Sequence, residues 1–178
     1  NVTISNNTAD WGGGMFLEYS NPILNRVTIS NNIGYNSGGG MYIFGSTPTL
    51  NKVTISNNIG YNGGGINLYY SNPTFNNITI SNNTAYFEGG GMYIFYSNPI
   101  LNNVTISNNS GYESGGIGLA YSTPIIINSI IWNNSPGSIY LYSDDLPIIT
   151  YSDIEGGWED EGNINNDPLF TEPDSNNY

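Results

Sequence analysis

The six residues VTISNN at positions 2–7 return at 27–32, 53–58, 78–83 (as ITISNN) and 104–109. Aligned on the apolar residue that opens each copy, Val2, Val27, Val53, Ile78 and Val104, the steps are 25, 26, 25 and 26 residues. A sixth, degenerate copy lies at 128–134, where Asn133 and Asn134 keep a step of 25 from Asn108 and Asn109. A fixed period in this range is the signature of a solenoid. Helical repeats of similar length fit poorly. Each copy carries proline and two or three consecutive glycines, and its apolar residues alternate with period two.

That alternation predicts three short strands per repeat. In the first, V-T-I-S, Val27 and Ile29 point one way and Thr28 and Ser30 the other. In the second, after the glycines, Met41 and Ile43 face inward and Tyr42 and Phe44 outward. The third is brief and built around Leu24, Leu50, Phe75, Leu101 and Ile126, each shortly after a proline. Length varies only in the first corner, between Asn-Asn and the glycines, as stacking demands: strands must meet their copies while a corner can bulge. Such coils form three parallel sheets, and six of them at about 4.8 Å each make a rod roughly 29 Å long. Gly14, Gly40, Gly65, Gly91 and Gly116 then stack in a column needing positive φ or close backbone approach. The Asn-Asn pairs stack likewise, since asparagine tolerates the left-handed region and its amide can ladder along the stack.

Composition bounds the chemistry. The 178 residues contain no cysteine, excluding disulfides and thiolate metal sites, and no histidine, removing the commonest general base. Arg26 and Lys52 are the only basic residues against 14 acids, a net charge of −12 with no electrostatic footprint for nucleic acid. Ten of those acids lie in the last 35 residues, so the repeats themselves are almost uncharged. No apolar run is long enough for a membrane-spanning helix. The chain opens inside a repeat, without Met, and the expectation is a mature or excised piece of a longer secreted protein.

The coils NVTISNN…GGG(I/M)Y…SNPxL, with S-D-I-E-G-G-W at 152–158 and G-N-I-N-N-D-P-L-F at 162–170, carry a resemblance. The chain resembles the right-handed parallel β-helix proteins of the pectin-lyase-like superfamily, in particular secreted surface proteins with such repeats. The expected fold is therefore all-β, a right-handed parallel β-helix of about six coils over residues 1–150. An acidic capping segment or extension covers 151–178. The resemblance implies little about activity, because the same coils carry lyases, hydrolases, adhesins and structural rods.

Lyases of that superfamily abstract a proton with Arg or Lys beside calcium held by acids. Here Arg26 and Lys52 occupy equivalent corner positions, filled by Asn77 and Asn103 in later coils, with no repeated acids beside them. The hydrolase branch needs convergent aspartates, a His and an Arg-x-Lys, and the lone pair Asp144-Asp145 sits in a corner that elsewhere reads Ser-Asn-Pro. No enzyme is expected.

Binding surfaces are the other possibility. Outward Thr-x-Ser pairs (Thr28/Ser30 and their copies) resemble the hydroxyl lattices of β-helical ice-binding proteins, which usually carry Thr at both positions. Aromatic residues form an outward column of Phe16, Tyr42, Tyr93 and Tyr140 and a second of Phe44, Tyr69, Phe95 and Tyr142. A third, Tyr35, Tyr61, Tyr86 and Tyr112, lies at the elastic corner. Aromatic columns stabilise stacked strands, and an exposed aromatic face can also recognise sugar rings or a protein surface. In the acidic tail Asp153, Glu155, Glu159, Asp160 and Glu161 have the oxygen chemistry for calcium, without a recognised loop spacing. Seven Asn-x-Ser/Thr sequons arise from the repeat, and the stacked corner is expected to leave little room for a glycan.

Two functions stand against each other. One is an extracellular or cell-surface structural solenoid without catalysis, whose open first coil templates head-to-tail assembly into a fibre. The alternative is an adhesin-like module holding a polysaccharide or a partner surface on its aromatic columns.

Overall fold

The computed structural model describes residues 1–170. Among these residues the regular elements are strands, and pairing within the three sheets is parallel. Each strand meets its copy one repeat away, as in Val2↔Val27 and Ile66↔Met92. The chain is a parallel β-solenoid of about six turns.

The strands after the glycines form a six-stranded sheet, from Met15–Glu18 through Met41–Phe44, Ile66–Tyr69, Met92–Phe95 and Ile117–Ala120 to Ile139–Leu141. The V-T-I-S strands and the strands after each proline share one eleven-stranded sheet, and in two coils they run on as single strands, Thr74–Ser81 and Ile100–Ser107. The bend between their halves falls on a left-handed residue, Asn77 (φ 57°) or Asn103 (φ 54°). Arg26 and Lys52 occupy that same left-handed position in earlier coils, so they are corner residues. The third sheet lies in the elastic corner itself: Thr8–Trp11, Ile33–Ser37, Ile59–Gly60 and Thr84–Ala85 pair in order. The corner is thus paired backbone over four coils rather than a free bulge.

Inside runs a narrow column of apolar side chains, mostly aliphatic, among them Ile29, Ile43, Leu50, Ile55, Leu68, Phe75, Ile80 and Ile106, all fully buried. Each contributes about 1.5–3 kcal/mol of burial only when a neighbouring coil covers it, which is why the motif must repeat. The two asparagines of each pair take different work. The first, such as Asn57, is exposed and left-handed. The second turns inward, and Asn7, Asn32, Asn58, Asn83, Asn109 and Asn134 form a continuous ladder with Nδ2 to Oδ1 distances of 2.9–3.0 Å. A second ladder runs through Ser20, Ser46, Ser71, Ser97 and Ser122, where each hydroxyl from Ser46 onward accepts the backbone N–H of the serine one coil earlier. Two of the corner glycines show the two backbone demands. Gly38 is left-handed at φ 61°, whereas a Cβ on Gly40 would lie 2.6 Å from the carbonyl oxygen of Gly65.

The parallel ladder continues past position 150, with Asp153 and Ile154 paired to Ile130 and Ile131. Beyond it the chain crosses the last coil. Trp158 packs against the core, and Asn163 Oδ1 accepts the N–H of Ser152 at 2.9 Å as one more rung of a serine ladder through Ser129. Residues 171–178 of the acidic segment lie outside the described residues.

Candidate functional site

The outward positions of the six-stranded sheet bring Phe16, Tyr42, Asn67, Tyr93, Gly118 and Tyr140 into one register. The expected exposure of this column holds at its ends, where Phe16 and Tyr140 are 47% and 43% exposed, and fails inside it. Tyr42 and Tyr93 are each only 9% exposed, because the elastic corner folds back across the sheet. Trp11, from the corner, sits 5.1 Å from the Tyr42 ring. The positive-φ turn at Gly38 brings the corner's backbone onto Tyr42, where a Cβ on Gly38 would lie 2.8 Å from that of the tyrosine.

Phe44, Tyr69 and Phe95 form the second column, half-buried, with centroid spacings of 5.8 and 4.9 Å. Tyr142 does not join it. Its ring turns toward Tyr93, edge-on at 6.1 Å, into space left by the missing side chain of Gly118. At the elastic corner Tyr35, Tyr61, Tyr86 and Tyr112 are exposed, and Phe87 stacks between Tyr61 and Tyr112.

A fourth aromatic column escaped the sequence reading. Tyr19, Tyr70, Tyr96 and Tyr121 each precede the Ser-Asn-Pro or Ser-Thr-Pro corner in the left-handed conformation, and Gly45 holds that place in the second coil. Tyr70, Tyr96 and Tyr121 stack at 5.2 and 4.7 Å with interplanar angles of 11° and 9°. The signal was the recurring tyrosine in EYSNP, YYSNP, FYSNP and AYSTP. Ring faces in this stack are occupied by one another, leaving edges and hydroxyls toward water.

Between Tyr42 and Tyr93 the column is interrupted by Asn67. A recess of about 440 Å³ lies there, lined by Asn67, Tyr42, Tyr69, Tyr93, Phe95 and Asn62 together with Trp11, Asn36 and Ser37. One coil further, Glu88 is also buried under the corner. Burial raises its carboxyl above the ordinary glutamate range, opposed by a hydrogen bond from Tyr93 and reinforced by the charge of Glu113. Burial and then the bond to Glu88 push the Tyr93 phenol up. Burial thus makes both groups hold their protons more tightly than free side chains do.

The five tail carboxylates are not brought together as a calcium site. Among the described residues no group of three or more acidic side chains could hold a metal ion. Four of them have separate backbone or side-chain donors instead. Asp153 accepts the N–H of Asn166, Glu155 that of Asn133, Asp160 those of Ile149 and the Trp158 indole, and Glu161 the hydroxyl of Tyr151. Proximity in sequence placed them on one segment, but its turns at 155–156 and 161–162 send neighbouring side chains to different donors. The sequon asparagines Asn6, Asn77, Asn82, Asn103, Asn108 and Asn133 are the exposed, left-handed residues of their corners, so the expected crowding there does not arise.

The sequence matches the family model for a right-handed β-helix region over residues 1–154. The chain belongs to the right-handed β-helix family. The match ends at Ile154, in the strand Asp153–Ile154 that pairs with Ile130 and Ile131. No curated protein and no solved structure matches the chain. The β-helix family contains both enzymes and proteins without catalysis, and membership assigns this β-helix a fold rather than a reaction.

Proposed function

We propose that this chain is a non-catalytic structural rod segment of an extracellular or cell-surface protein, extended by end-to-end apposition of β-helix coils. The observation that carries the reading is the continuity of its ladders. Asparagine amides, serine hydroxyls and stacked tyrosines all bond along the rod axis from coil to coil. The side chains that vary least between coils are therefore occupied in holding coils together. A low-charge surface rich in Asn, Ser, Thr and Tyr suits an extracellular setting. The edge strands Val2–Ser5 and Met15–Glu18 present backbone groups at the same register positions that later coils use for pairing. Further coils from the same polypeptide or from a second copy would meet them alike.

Sedimentation velocity over a concentration series tests the assembly. The proposal expects species that lengthen with concentration while keeping one cross-section. A single sedimenting species of constant shape at every concentration would overturn end-to-end extension.

A further inference from the structure

The chain has 15 tyrosines and no cysteine, so any covalent tie between its coils would have to use chemistry other than a disulfide. Geometry singles out three of those tyrosines. Tyr70, Tyr96 and Tyr121 hold the same left-handed position in successive coils, and their rings stack at 5.2 and 4.7 Å with interplanar angles of 11° and 9°. The backbone N–H of Tyr70 donates to the Phe95 carbonyl and that of Tyr96 to the Ala120 carbonyl, both at 3.1 Å. Neighbouring backbones therefore stand one strand spacing apart, about 4.8 Å. A near-parallel stack at one register brings hydroxyl beside hydroxyl and ortho carbon beside ortho carbon. All three rings are exposed, so these edges face water.

Other described tyrosines lack one or other of these features. Tyr142 lies near both Tyr93 and Tyr140, but its hydroxyl is sealed from solvent and the Tyr93 ring is buried. Tyr69 meets Tyr70 edge-on at 86°, which sets an edge against a face rather than two edges together. At the elastic corner Phe87 separates Tyr61 from Tyr112, and phenylalanine has no hydroxyl to oxidise. Gly45 breaks the column below Tyr70, and the Tyr19 ring lies over that glycine against Phe44.

We propose that the Tyr70–Tyr96–Tyr121 stack is a site of oxidative cross-linking, where a one-electron oxidant joins tyrosines of adjacent coils as dityrosine. Each oxidation removes one electron and the hydroxyl proton, leaving a phenoxyl radical with spin on the oxygen and the ortho carbons. Two such radicals on adjacent coils turn edge to edge and form one carbon–carbon bond between ortho positions. The two ring hydrogens at that bond then pass to the oxygens as aromaticity returns. With hydrogen peroxide as terminal oxidant, two phenols and one peroxide give one dityrosine and two waters. A bond from Tyr96 to Tyr121 closes a loop between residues 25 apart and so restrains the unfolded chain. The site stands independently of the rod reading, because the bond forms within one molecule.

Mild oxidation of the full chain tests it, with a haem peroxidase and hydrogen peroxide, and separately with photo-excited ruthenium tris-bipyridyl and persulfate. The monomer is then isolated on a denaturing gel, its dityrosine fluorescence read, and its cross-linked peptides mapped by mass spectrometry. Peptide pairs joining Tyr96 to Tyr121 or to Tyr70, each two hydrogens short of their sum, are expected to dominate. Tyr96→Phe keeps both stacks but leaves Tyr70 and Tyr121 two coils apart, so the column's cross-links should be lost, and most of the monomer's dityrosine fluorescence with them. Tyr70→Phe combined with Tyr121→Phe should have the same effect, which preserves the test if the first variant folds poorly, and Tyr61→Phe should change nothing. Cross-links scattered over the exposed tyrosines, cross-links only between molecules, none with either oxidant, or an undiminished yield in a folded Tyr96→Phe chain would overturn the proposal.

Discussion

Asn58 donates its side-chain amide to Asn83 Oδ1 at 2.9 Å, one coil further on, while Asn57 beside it faces solvent in the left-handed conformation at φ 56°. Two identical letters therefore do unlike jobs. Asn58 also donates to the Ile29 carbonyl and accepts both the N–H and the side-chain amide of Asn32.

Asn58→Ala would leave the Asn32 N–H and the Ile29 carbonyl without these partners in a fully buried place. At about 1–3 kcal/mol per orphaned group the expected loss is about 3 kcal/mol or more. Asn57→Gly, which keeps the left-handed backbone at no steric cost, should change stability by less than about 1 kcal/mol. Urea denaturation of both variants reads the contrast, and equal losses would contradict the division of roles.

The glycines separate in a similar way. A Cβ on Gly40 would sit 2.6 Å from the Gly65 carbonyl oxygen, a backbone atom that cannot yield without parting two coils, whereas one on Gly137 meets nothing within 4 Å. Gly40→Ala is expected to lower the thermal midpoint sharply. Gly137→Ala should be neutral or stabilising by up to about 1 kcal/mol through the unfolded state. A scan of thermal midpoints decides it.

Tyr96 is stacked between Tyr70 and Tyr121 although it remains 43% exposed. Removing its ring with Tyr96→Ala breaks two stacked contacts, each about 0.5–1.5 kcal/mol, for an expected loss of about 1–3 kcal/mol. Tyr96→Phe keeps both stacks and should lie close to the parent chain. If alanine and phenylalanine behave alike in chemical denaturation, the column is not holding the coils.

Glu88 makes a pH prediction. Its folded carboxyl is raised above the ordinary value of 4.5, chiefly by burial, so the folded state binds the proton more tightly than the unfolded one. Stability from this group is therefore present at low pH and is lost as pH climbs from 4.5 through the higher folded value. Glu88→Gln should flatten that decline, so that the variant gains on the parent chain between acid and neutral pH. Thermal midpoints of the two across pH 4–8 check the sign, and a constant difference across the range would contradict it.

The β-solenoid was legible because each of its demands is written several times. A single Val-Thr-Ile-Ser would be ambiguous, but five copies at one spacing leave only stacking as the way to bury Ile29, Ile55, Ile80 and Ile106. The division between Asn57 and Asn58 was not readable, since it depends on which of two equal side chains turns inward. Burial of Tyr42 and Tyr93 escaped for a related reason: whether a corner bulges away or folds back depends on backbone angles at Gly38, Gly63 and Gly89. Asn67 and Gly118 interrupt the column of rings, and the burial of Asn67 follows only once the corner carrying Ser37, which accepts its side-chain amide, lies above it. The tail acids misled in the opposite direction, because density along the chain does not aim oxygens at a common point.

The most direct test of the rod account is negative-stain electron microscopy of the purified chain across a concentration series, with and without calcium. The account predicts filaments one solenoid wide that lengthen along the coil axis as concentration rises, with or without the ion. Discrete short rods of constant length at every concentration, or growth by side-by-side association, would contradict it.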